Sequence, residues 1–83
     1  MKDTIIKSLQ DLKEKGRRII FFRWVSATSE GSIKYLNVDS ASSDEIHTKA
    51  DEIVETLHSN NANTLYISSY RKEHCYTRTI PVA

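Results

Sequence analysis

The stretch RRIIFFRWVSA, residues 17–27, constrains this chain more than any other. Its β-branched and aromatic residues read as a strand. Alternation along that strand puts Ile20, Phe22 and Trp24 on one side, and Arg17, Ile19, Phe21, Arg23 and Val25 on the other. A strand apolar on both sides needs a core under one face and a reason for the other.

The rest of the chain supplies one core and little more. TSEGS (28–32) is a turn signal and SIKYLNV (32–38) a second strand, so the pair is expected to form a hairpin. Ahead of them, Ile5, Ile6, Leu9 and Leu12 recur at helical spacing, with Asp3 or Thr4 as candidate cap and Gly16 as stop. Behind them, Ser42-Ser43-Asp44-Glu45 has the S-x-x-E form of a capping box. It opens a helix whose apolar stripe is Ile46, Ala50, Ile53, Val54 and Leu57. HSNNAN stops that helix, and TLYISSY and CYTRTIPV form a second candidate hairpin around RKEH.

The order α-β-β-α-β-β repeats a helix-hairpin pattern without repeating its sequence. It predicts a single α+β domain over residues 1–83: a four-stranded, mostly antiparallel sheet with both helices on one face. The same order is a circular shift of the split β-α-β arrangement. Fold analogy of that kind carries no function.

Two short helices cannot cover both faces of such a sheet. Leu36, Val38, Leu65 and Ile67 suit the helix side, which leaves Ile33, Tyr35, Tyr66 and Tyr70 outward with Ile19, Phe21 and Val25, bordered by Arg17 and Arg23. An aromatic and aliphatic patch of that extent is best explained by a partner. The last hairpin admits two registers. Pairing Tyr70 with Cys75 sends Tyr76, Arg78 and Ile80 toward the helices; pairing Tyr70 with Tyr76 sends Tyr76 and Arg78 to the open face and Cys75, Thr77 and Thr79 inward. The second avoids burying the Arg78 charge, which is costly without a partner, and is the expected register.

Three occupants suit the patch: a second copy of the chain, a different protein, or single-stranded nucleic acid, RNA rather than DNA. The expected partner-binding residues are Arg17, Phe21, Arg23, Tyr35, Tyr66, Tyr70, Arg71, Lys72, Tyr76 and Arg78. A protein partner or a homodimer is favoured, as for a small inhibitor or antitoxin-like regulator of the kind that viruses and plasmids carry. Charge argues against nucleic acid. The formal net charge is +1, and residues 39–61 hold one Lys against six Asp and Glu. No run has the K/R-G-F/Y-G/A-F-V-x-F/Y form of the common RNA-binding sheet.

Catalytic and metal chemistry find little purchase. One Cys permits neither an internal disulfide nor a multi-thiolate zinc site. Asp44-x-x-His47 and Glu55-x-x-His58 each resemble a ligand pair, but His47 and His58 stand about 16 Å apart along a helix at 1.5 Å per residue. His74 and Cys75, as strand neighbours, point to opposite faces and are badly placed as base and nucleophile. A metal-free ribonuclease site built from Tyr70, Arg71, Lys72, Glu73, His74, Tyr76 and Arg78 is the one enzymatic alternative. Two Gly leave no room for a phosphate loop. No metal and no cofactor are expected. The N-terminus alternates charged and apolar residues without the run a signal peptide needs, and no segment approaches membrane-spanning length, so a cytoplasmic protein without membrane contact is expected.

Overall fold

The computed structural model describes residues 1–71 and 74–82, apart from the side chain of Arg71. The order is α1 (Lys2–Glu14), β1 (Ile19–Val25), β2 (Glu30–Asn37), α2 (Ser43–Ser59), β3 (Thr64–Arg71) and β4 (His74–Pro81). The strands form one open antiparallel sheet in the order β2-β1-β3-β4, with β1 and β3 in the centre. Both helices pack on the same face of it, and the core lies between.

The helices begin differently and end alike. Met1 occupies the N-cap of α1 without a side-chain bond, so the helix starts two or three residues earlier than Asp3 or Thr4 would set it. At α2 the capping box forms as expected: Ser42 Oγ accepts from the Glu45 N–H, and the Glu45 carboxylate accepts from the Ser42 N–H. At the end of α1 the Arg17 N–H donates to Leu12 O and the Gly16 N–H to Lys13 O. At the end of α2, Ala62 N–H donates to Leu57 O and Asn61 N–H to His58 O. Both are Schellman closures, and each needs a left-handed residue after the cap. Gly16 supplies it at φ 76° and Asn61 at φ 51°. Each closure turns the chain directly into the strand that follows, β1 or β3.

Ile5, Leu9 and Leu12 from α1 and Ile46, Ala50, Ile53 and Leu57 from α2 meet Ile20, Phe22 and Trp24 of β1 and Leu65 and Ile67 of β3. The Trp24 ring lies across Gly31, its cross-strand partner on β2. A Cβ on Gly31 would come within 2.6–2.9 Å of that ring, so the pair is matched in volume. Lys49 holds α2 to the sheet edge: its side chain is nearly buried, and Nζ donates to Lys34 O at 3.0 Å and to Glu52 Oε2 at 2.6 Å.

One buried hydroxyl lacks a partner. Ser69 is fully buried on the helix side of β3, and among the described residues its Oγ makes no hydrogen bond. Ser69→Ala is therefore expected to raise stability by about 1 kcal/mol, because it removes an unpaid desolvation cost and leaves almost the same volume. Urea denaturation of the two proteins measures this; a lower midpoint for the variant refutes it.

Two expected placements are corrected. Ile33 points into the core, opposite Phe22, and not outward. The cause is a β-bulge: Ile20 pairs with Leu36 and Phe22 with Ile33, so Phe21 faces two residues, Lys34 and Tyr35. The extra residue lets Ile33 and Leu36 both turn inward. The second correction is the last hairpin, where Tyr70 pairs with Cys75, Ser69 with Tyr76 and Ile67 with Arg78. Tyr76 and Arg78 therefore lie on the helix side, and Cys75, Thr77 and Thr79 on the open side. The burial penalty that disfavoured this register does not arise. Since β4 is an edge strand, Arg78 remains exposed and its Nη1 donates to Ser8 Oγ on α1 at 2.8 Å.

Candidate functional site

The open face is built on the odd-numbered residues of β1. Phe21 stands at its centre, 43% exposed, between Tyr35 of β2 and Tyr70 of β3. Its ring centroid is 6.3 Å from that of Tyr35, with the planes tilted by 50°, and 5.7 Å from that of Tyr70 in an edge-on arrangement. Both tyrosines are more than half exposed. The bulge in β2 makes this cluster, since it lets Tyr35 project beside Phe21 while Ile33 and Leu36 stay in the core. With Met1, these three are the exposed large hydrophobic residues among those described.

Arg23 comes next along β1. Its guanidinium lies 4.5 Å from the Tyr66 ring centroid, and Nη1 is 3.2 Å from Glu30 Oε2. The stacking fixes the side chain flat against the sheet. The ion pair balances its charge, so this part of the face is close to neutral. Phe21, Arg23, Ser32, Ser68 and Tyr70 line a shallow depression of about 400 Å³ in the face. Beyond it, Ser68, Cys75, Thr77 and Thr79 make a strip of small polar side chains. The face is thus aromatic over β2, β1 and β3 and polar over β4.

Of the expected site residues, Phe21, Arg23, Tyr35, Tyr66 and Tyr70 share this surface. Tyr76 and Arg78 do not. Tyr76 is half-buried on the helix side, flanked by Lys15 Nζ at 5.9 Å and Arg17 Cζ at 6.0 Å from its ring centroid. Arg17 accordingly belongs to that cluster at the end of α1 and meets the open face only at its end, beside Tyr70. One of its guanidinium nitrogens, Nη1, is buried there with no hydrogen-bond partner among the described residues. Lys72 and Glu73, and the side chain of Arg71, lie outside the described residues.

Sequence reasoning missed Arg18 and placed Cys75 inward, where a small buried or half-buried thiol is expected. Cys75 is exposed on the open side, with Sγ 3.7 Å from Thr77 Oγ1. Its placement follows from the hairpin register alone. Arg18 precedes β1, and with Gly16, Arg17 and Tyr70 it lines a second depression of about 270 Å³ at the end of the sheet. The charge was visible in the sequence, but the turn of chain that brings it next to Tyr70 was not.

The residues of the ribonuclease alternative are divided between faces. Tyr70 lies on the open side and Tyr76 and Arg78 on the helix side. His74 and Cys75 are strand neighbours on β4 and point to opposite sides. His47 is engaged locally, with Nδ1 2.8 Å from Ser43 O. Among the described residues, no group of three or more His, Cys, Asp or Glu is arranged to hold a metal ion. No helix among them is long and apolar enough to cross a membrane.

Neither the protein-family models nor the curated proteins include a match to this chain. Among solved structures the chain is similar to the de novo designed protein Foldit3, with a TM-score of 0.60 at 13% identity over 93% of this chain and 75% of that one. At that identity the likeness establishes the fold and nothing of function.

Proposed function

We propose that this protein is a non-catalytic binding module that engages a protein partner through the open face of its sheet, as inhibitor or antitoxin-like regulators do by occupying a partner's surface. The observation that carries this reading is the contiguous cluster of Phe21, Tyr35 and Tyr70, exposed, with Phe21 in contact with both tyrosines. Rigid aromatic side chains held by one another lose little entropy on binding and suit the centre of an interface. Arg23, stacked on Tyr66 and neutralised by Glu30, suits its border.

Nucleic acid is the less favoured occupant. Base stacking would use the same rings, but phosphate needs unpaired positive charge alongside them. Among the described residues Arg23 is already paired, Arg78 and Tyr76 face the helices, and Arg17 and Arg18 stand only at one end of the cluster, beside Tyr70. The test combines two measurements on the wild type and on the triple variant Phe21→Ser, Tyr35→Ser, Tyr70→Ser. Capture from a native extract is expected to retain a protein on the wild type that the variant releases. Titration with labelled random single-stranded RNA is expected to show no salt-dependent complex. A tight RNA complex that weakens steeply with salt and is lost in the variant would replace the protein reading with the nucleic-acid one.

A further inference from the structure

We infer that β4 is a docking edge for a second copy of this chain, pairing antiparallel with its own counterpart about a two-fold axis at Thr77. The surface is the rim of the sheet and not its open face, so the inference stands apart from what the face binds.

The two rims of the sheet are unlike. β2 carries the bulge opposite Phe21, and its Lys34 carbonyl is already taken by Lys49 Nζ. Irregularity and charge of this kind blunt an edge. β4 pairs with β3 in unbroken register from Arg71–His74 to Thr64–Pro81 and among the described residues has no other strand neighbour. Its open-side row, Cys75, Thr77 and Thr79, is small and uncharged.

The backbone direction of β4 is fixed by one bond. The Val82 N–H, just past β4, donates to the O of Asn63, the residue that precedes β3. Alternation then directs the peptide groups of Ile80, Arg78 and Tyr76 toward β3, and those of Cys75, Thr77 and Thr79 to the free rim. Pro81 falls in the outward set, where its missing N–H costs the ladder nothing. The rim therefore offers three consecutive outward residues with both donor and acceptor, ending at a proline.

A two-fold partner can meet that rim in few ways. Both copies must keep their helices on one side, so residues of equal parity lie opposite each other. With the axis at Thr77, Thr77 faces its own copy, Cys75 faces Thr79, and all of these pairs exchange both bonds. On the helix side Tyr76 then faces Arg78 of the other copy, a cation–π pairing. Moving the axis to Arg78 sets two guanidinium groups opposite each other and Cys75 against Pro81, which cannot donate. Moving it to Tyr76 puts Thr79 opposite residue 73, beyond the start of β4. The composition of the strand selects one register.

The resulting sheet has eight strands, with the two aromatic clusters on one side, separated by the polar strip. The contact runs over residues 74–80, roughly 23 Å of strand, so the interface is at the small end of specific interfaces and the dimer is concentration-dependent.

Light scattering after size exclusion, from micromolar to millimolar protein, is expected to show a mass rising toward twice 9.5 kDa. Thr77→Pro removes an outward N–H that the β3–β4 ladder does not use, so it is expected to keep its circular dichroism while remaining at the mass of one chain. Thr77→Val keeps the N–H and is expected to dimerise. For a readout that does not depend on tolerating proline, Thr77→Cys in a Cys75→Ser background is expected to be joined between chains by a short bifunctional thiol reagent. Facing residues of a bonded antiparallel pair are about 5.5 Å apart at Cα with their side chains on the same side, within the span of such a reagent. A wild type that stays monomeric throughout, or absence of that crosslink, overturns the inference. So does a dimer that survives Thr77→Pro and dissolves with Phe21→Glu, which would put the self-contact on the open face instead.

Discussion

Phe22→Ala is expected to bring this protein to the edge of unfolding. Phe22 is 2% exposed at the centre of β1, directly opposite Ile33 on one side and Ile67 on the other. It is the largest of the fully buried side chains beneath the helices. Truncation removes the transfer energy of a phenyl ring and leaves a cavity that two flanking strands cannot close, about 3–5 kcal/mol in comparable cores. At about 0.05–0.15 kcal/mol per residue, a chain of this length has on the order of 4–12 kcal/mol of stability in total. The midpoint of thermal unfolding should therefore fall by roughly 15–30 °C. Calorimetry or far-UV circular dichroism decides the matter. A shift of only a few degrees would mean that the helices do not close over β1 as described.

Phe21→Glu, one residue away, should do the reverse: spare the fold and remove the function. Phe21 gives up two aromatic contacts, with Tyr35 and Tyr70, each about 0.5–1.5 kcal/mol beyond area burial. It leaves no cavity, because the ring borders solvent. The loss in stability should stay at about 1–3 kcal/mol. At an interface, the same change buries a carboxylate where an aromatic anchor had packed. Losing such an anchor costs at least about 2 kcal/mol, a weakening of roughly 30-fold or more. The measurement is calorimetric or surface-based titration of the purified partner against both proteins. Equal affinities would exclude the Phe21 cluster from the contact and with it the proposed function.

The contrast between these neighbours was legible in the sequence because β1 is a regular central strand. Ile20, Phe22 and Trp24 alternate with Ile19, Phe21 and Arg23, and the pleat translates that alternation directly into two faces. The Ser42 capping box and the stripe of α2 were legible for a similar reason, since both are local rules. Ile33 was not. The segment Ile33-Lys34-Tyr35-Leu36 satisfies a strict alternation with either Ile33 or Leu36 inward, and only a bulge admits both. Hydrophobic demand from the helices decides for the bulge, and that demand is tertiary. Arg78 misled in another way. Burial was assumed for any residue on the helix side, but an edge strand lets a long side chain reach both Ser8 and water. Which strand forms an edge depends on β1 pairing with β3, a contact that no local pattern encodes.

That same bulge also determines how many neighbours the sheet can acquire. A sheet with two plain rims is divalent: each addition exposes a fresh rim, and growth continues into a filament. With β2 kinked and its Lys34 carbonyl occupied, one rim is withdrawn from that chemistry. A pairing event at β4 then leaves only kinked rims outermost, and assembly terminates at two. The irregularity that seats Tyr35 beside Phe21 thus also acts as a chain terminator, the difference between a finite particle and a polymer.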